Sequence, residues 1–134
     1  MTATRLANWQ MRALAVLRVI TGLLFTAHGT MKLFGFPAGD SPMSVELFSL
    51  IGLAGILEVF GGLLIVLGFF TRPVAFILSG QMAAAYFMAH APQSFYPVLN
   101  GGDSAILFCF VFLYLVFSGP GAWSIDGMRQ GRTA

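Results

Sequence analysis

Four apolar runs, separated by short polar or turn-rich segments, set the pattern of this chain. They cover about Ala13–Phe36, Val45–Phe70, Pro73–Ala91 and Ser104–Phe117. At ~1.5 Å of rise per residue, such runs suit helices crossing the ~30 Å apolar core of a bilayer, the fourth being the shortest. The first run is too long for a signal peptide, contains Arg18 and lacks a small-x-small cleavage site, so it reads as a retained helix. Pro37–Ser44 is a turn-rich loop with Ser44 placed to cap the second helix. Thr71-Arg72-Pro73 is a tight connection with proline in the first turn of the third helix. Pro92–Asp103 is a loop rich in Pro, Asn and Gly, and Gly119-Pro120-Gly121 ends the fourth span.

Composition strengthens this picture. The chain is 57% hydrophobic and only 9% charged, and no polar stretch is long enough for a soluble domain. The predicted fold is therefore an all-α integral membrane protein, an antiparallel four-helix transmembrane bundle forming one domain over residues 1–134. Arg5, Arg12, Arg72, Arg129 and Arg132 fall on one side of that bundle, while the other two loops carry neither Lys nor Arg. The positive-inside rule then makes both termini cytoplasmic, in a multi-pass protein of the bacterial plasma (inner) membrane. The pI of about 9.1 is no nucleic-acid signal, because the basic residues flank apolar runs instead of clustering. Cys109 is alone, so an intrachain disulfide and a Cys-x-x-Cys motif are both ruled out.

One carboxylate, Glu58, interrupts the apolar sequence between Glu46 and Arg72. An ionised side chain near mid-span costs roughly 3 kcal/mol on translocon scales, so a proton, a cationic neighbour or a ligand must compensate it. Ala54, Glu58 and Gly62 share a helix face, and small residues let a neighbouring backbone approach there. Counted from the cytoplasmic ends, His28, Glu58 and Tyr86 lie ~20 Å deep, and His90 and Lys32 ~25–27 Å deep. Asp103 heads the fourth span, where a carboxylate suits a helix N-terminus. His28 and Lys32 share one face, as do Tyr86 and His90. These residues are expected to converge on a polar pocket in the outer half of the membrane. Glu58, His28 and Lys32 are the candidate catalytic residues, and Tyr86, His90 and Asp103 the candidate ligand-binding residues. Arg18, nearer the cytoplasm, is expected to snorkel or to contact lipid phosphate and the cytoplasmic loop. Gln81 points away from His90 and toward another helix.

The ordered set His28-Gly29-x-x-Lys32, Glu58-x-x-Gly61-Gly62, Leu67-Gly68-x-x-Thr71-Arg72, Asn100-Gly101-Gly102-Asp103 and Gly119-Pro120-Gly121-x-x-Ser124-x-Asp126 resembles the DoxX family of small bacterial membrane proteins. The family's Asn-Gly-Gly element usually ends in Glu, and Asp103 stands there on a shorter arm. The resemblance implies four membrane helices and an oxidoreductase-associated subunit, similar to the small subunit of thiosulfate:quinone oxidoreductase. Lys32 and His28 would then donate to a quinone carbonyl, and Glu58 would hold or deliver a proton. With no cysteine pair, flavin motif or metal site in view, electrons would have to pass directly from a donor to the quinone or come from a redox partner subunit. A haem between His28 and His90 has only the two histidines in its favour. The rival class is a non-catalytic membrane module that binds lipid or a partner protein. A small transporter comes third, since four helices would need a homo-oligomer to give alternating access.

Overall fold

The computed structural model describes residues 2–39 and 45–131. They form six helices and no strand: α1 Ala3–Phe34, α2 Leu50–Leu67, α3 Thr71–Ala85, α4 Pro97–Asn100, α5 Asp103–Ser118 and α6 Ile125–Arg129. A π-helical turn, Tyr86–His90, continues α3. The helix α1 begins well before the predicted Ala13. No Gly or Pro interrupts residues 3–21, so nothing breaks the helix through the arginine-bearing segment. There the Arg12 guanidinium lies 5.5 Å from the Trp9 ring.

The second span starts later than predicted, at Leu50. Ser49 caps it, its hydroxyl accepting from the Gly52 amide at 3.1 Å. Ser44, the predicted cap, lies outside the described residues. Gly35 and Gly68, at φ 64° each, end α1 and α2 in the left-handed conformation that glycine adopts without strain. Pro73 sits in the first turn of α3, as the sequence suggests. The predicted loop after α3 contains the single turn α4.

Burial is inverted relative to a water-soluble protein. Arg18 is 0% and Glu58 1% exposed, whereas Phe76 and Phe117 expose 66% and 75% of their surface. A soluble protein would place these residues the other way round. The helices α1 and α2 are each long and apolar enough to cross a membrane, and α5 is a shorter apolar helix.

Glycine sets the spacing of the first pair. A Cβ on Gly22 would lie 2.9 Å from the Gly62 oxygen, and one on Gly29 2.8 Å from the Gly55 oxygen. The backbones of α1 and α2 therefore touch, and the pairing of low with high numbers makes them antiparallel. Between α3 and α5, the Ser79 hydroxyl donates to the Cys109 carbonyl at 2.9 Å, and Arg72 reaches the Val116 and Phe117 carbonyls. That pair is antiparallel too. Phe25, Ile65, Leu78, Phe112 and Leu115 fill the space between the pairs, with Phe25 and Phe112 edge to face at 4.9 Å.

Candidate functional site

The close approach of α1 to α2 decides where the charges on these two helices meet. Because Gly29 and Gly55 leave no side chains between the backbones, Lys32 reaches across α2 and forms an ion pair with Glu58. The Lys32 side chain is 23% exposed and that of Glu58 1%, so the pair has one open and one closed end. From α3, the Gln81 amide donates to the Ala54 carbonyl at 3.2 Å and to the same Glu58 oxygen, Oε1, at 3.4 Å. Two oxygens in this group are buried without a partner, Glu58 Oε2 and Gln81 Oε1. Pairing with Lys32 neutralises the charge, but it leaves the carboxylate half satisfied.

The polar contacts of Tyr86 and His90 belong to a second group, centred on Asn100. Its amide nitrogen donates to the Tyr86 hydroxyl at 3.2 Å and to the Ser94 carbonyl at 2.9 Å. Its amide oxygen accepts from the Gly102 N–H at 2.8 Å, and His90 Nδ1 bonds the Asn100 carbonyl at 2.9 Å. Gly102 leaves room for the Tyr86 ring, which any Cβ there would strike at 2.5 Å. Tyr86 and His90 therefore tie the 92–102 segment to the π-helical turn, and their hydrogen bonds do not go to Glu58. Asp103 is exposed at the first position of α5.

His28 also departs from the predicted convergence. It is exposed, with its ring edge-on to Phe108 at 5.6 Å. Its Nδ1 lies 2.8 Å from the Leu24 carbonyl, and a carbonyl can only accept, so Nδ1 carries the proton. In the neutral ring Nε2 is then an acceptor, not the donor the sequence reading assigned. Sharing a face with Lys32 was not enough, because a four-residue step turns a side chain by ~40°.

Arg18 neither snorkels nor faces lipid. Nε donates to Pro120 O at 2.7 Å, Nη1 to Ile65 O at 2.8 Å and to Val66 O, and Nη2 to Trp123 O at 2.8 Å and Ala122 O at 3.2 Å. The guanidinium covers the carbonyl end of α2 and ties it to the 119–126 segment, a contact the residue pattern did not reveal. Beside it, Asp126 caps α3 from a distance, accepting from the Phe70 and Thr71 amides at 3.0 and 2.8 Å.

Burial alone would raise the Asp126 carboxyl, but the Thr71 and Phe70 N–H groups and the Arg129 charge outweigh it and hold the group below its ordinary value. A carboxylate stabilised this way contributes above the unfolded-state pKa, and the contribution is lost as pH falls through the lower folded-state value. Acidification below about pH 4 should therefore lower the unfolding temperature in detergent, with part of that slope missing in Asp126→Asn. Identical slopes for the two proteins would show that the cap carries no net charge effect.

Helices with a lipid-facing apolar exterior and buried charges define a helical membrane protein. A family model described as DoxX matches residues 13–91, and the chain belongs to that family. It is 42% identical over 120 residues to an uncharacterised protein of Haemophilus influenzae, covering 84% of this chain and 87% of the relative. It is 32% identical to the inner membrane protein YqjF of Escherichia coli, over 83% of this chain and 87% of that one. It is 25% identical to the uncharacterised membrane protein Rv3486 of Mycobacterium tuberculosis, over 82% and 77% respectively. No solved structure matches the chain.

Proposed function

We propose that this chain is a membrane-embedded, oxidoreductase-associated subunit that handles a quinone or a similar small lipid-soluble molecule beside Lys32 and Glu58. In this reading α1, α2, α3 with its π-helical continuation, and α5 are four antiparallel spans of one bundle. Both termini are cytoplasmic, and the pair lies in the outer half of a bacterial inner membrane. The arginine distribution supports the orientation, and the kinship with an Escherichia coli inner membrane protein supports the location.

The observation that carries the reading is the half-satisfied carboxylate. Glu58 is closed off from solvent, yet its partner Lys32 is partly open and its second oxygen has no partner. Intramembrane ionisable groups of this kind mark ligand or proton sites by default. Lys32, with N–H groups beyond the one given to Glu58, can donate to an oxygen of the bound molecule. Glu58 can hold a proton, and Gln81 fixes the carboxylate in place. His28 lines the lipid side, one turn from Lys32. Electrons would be supplied by a partner subunit.

The test is gentle purification of wild type and Glu58→Gln, followed by mass spectrometry of the extracted small molecules. Wild type should retain quinone, and the variant at least about tenfold less, as loss of one charged hydrogen bond implies. Folded wild-type protein that stays empty even after exposure to added quinone would sink the reading.

A second reading, a non-catalytic membrane binding or assembly module, has its own supporting observation. Two other buried polar residues, Arg18 and Asn100, spend most of their hydrogen bonds on backbone, as clamps of the fold. If Lys32–Glu58 is one more clamp, Glu58→Gln should be tolerated and only bulky replacements at Gly55 or Gly62 should do harm.

A further inference from the structure

The two unpartnered oxygens of the Lys32–Glu58–Gln81 group have one property in common: both are acceptors. Glu58 Oε2 and Gln81 Oε1 are buried on facing helices, joined through the Gln81 amide and Glu58 Oε1. Reversing the Gln81 amide would not remove the mismatch, because its nitrogen already serves the Ala54 carbonyl. An ionised carboxylate and an amide oxygen have no proton to offer each other. The closed end of the group therefore calls for a donor, while Lys32 at the open end supplies N–H groups that call for an acceptor.

We propose that the ligand is a molecule bearing a hydroxyl, specifically a hydroquinone-type phenol, and that the site binds it in preference to the oxidised quinone. This rests on the reading of Lys32 and Glu58 as a ligand site. One phenolic oxygen meets both demands: it accepts from Lys32 Nζ and donates its proton to Glu58 Oε2 or Gln81 Oε1. A quinone carbonyl can satisfy only Lys32. It leaves both buried acceptors unpaired and brings a third lone-pair-bearing oxygen among them. Sites built to bond a hydroxyl reject analogues that lack it far more strongly than apolar pockets reject a missing methylene. On the lipid side His28 Nε2 offers a further acceptor of the same sign, since Nδ1 is committed to the Leu24 carbonyl.

The experiment titrates purified wild-type protein in lipid nanodiscs with a short-chain benzoquinone and, separately, with its hydroquinone under reducing, oxygen-free conditions. Binding is read by calorimetry. The hydroquinone should bind at least about tenfold more tightly, the factor expected when a buried acceptor gains its partner. In Gln81→Met, which removes one acceptor without changing charge, the ratio of the two affinities measured in that same variant should shrink severalfold. Equal affinities, or tighter binding of the quinone, would overturn the inference and leave the proposed quinone site standing. Binding of neither form would remove both. A preference that persists unchanged in a folded Gln81→Met protein would overturn the assignment to Gln81 Oε1. The wild-type comparison needs no variant, so a Gln81→Met protein that fails to fold still leaves the inference open to refutation.

Discussion

Arg18→Leu is expected to cost about 4 kcal/mol or more of stability and to lower the yield of folded protein sharply, the largest effect of any single charge removal here. Five N–H groups of the guanidinium meet five carbonyls, so leucine would strand several buried acceptors at once. Those carbonyls belong to Ile65 and Val66 at the end of α2 and to Pro120, Ala122 and Trp123 before α6. Removing the side chain would therefore loosen α2 from the segment that carries Ser124 and Asp126. Ser124 caps α6 through the Gly127 amide at 3.0 Å, and Asp126 caps α3. Damage at one residue should thus spread to three helix ends.

Lysine is no substitute at this position. Its three donors sit on one point and cannot match a planar set of five acceptors. Arg18→Lys should recover less than half of the loss. The measurement is detergent unfolding followed by circular dichroism, with exposed Arg5→Leu as the control. Equal behaviour of Arg18→Leu and Arg5→Leu would show that the carbonyl cage contributes nothing.

Arg18 also shows where sequence reasoning stops. Its place low on α1, about three turns before His28, was legible from the residue count. Its burial was not, because snorkelling and caging differ only in where another segment folds back. The membrane character of the chain was plain from four apolar runs, and Glu58 stood out as a lone acid among glycines. Lys32 was available as its partner by depth and face. Gln81 was harder to place: counted from the predicted ends Thr71 and Pro73, the rise per residue puts Glu58 ~20 Å and Gln81 ~12 Å from the connection. The observed ends, Leu67 for α2 and Thr71 for α3, put both residues ~14–15 Å from the connection, so that Gln81 reaches Ala54 and Glu58 together. A residue count inherits every error in the predicted helix ends. Asn100 was visible only as part of a motif. Its role as a hub depends on the π-helical turn, where the Ala91 amide bonds the Tyr86 carbonyl at 2.9 Å. A wider turn changes which way Tyr86 and His90 face, and a 3.6-residue period cannot anticipate it.

The second large effect is expected from the smallest change. Gly29→Ala adds one methyl group, yet its Cβ would lie 2.7 Å from the Val59 nitrogen and 2.8 Å from both the Gly55 oxygen and Glu58 Cβ. Two of these atoms are backbone, so no rotamer change relieves the contact, and the helices must part. Overpacking of this kind costs about 1–3 kcal/mol. Alanine's better helix propensity returns at most about 1 kcal/mol. Gly80→Ala separates the two terms, because a Cβ at Gly80 meets nothing within 4 Å. It should be neutral or slightly stabilising, while Gly29→Ala lowers the unfolding midpoint by several degrees. Parting α1 from α2 also draws Lys32 away from Glu58, since both lie next to this contact. On the proposed function, Gly29→Ala should therefore also weaken retention of quinone, although it alters no polar group. Equal unfolding midpoints for Gly29→Ala and Gly80→Ala would mean that α1 and α2 are not in backbone contact, and the geometry that joins Lys32 to Glu58 would fall with it.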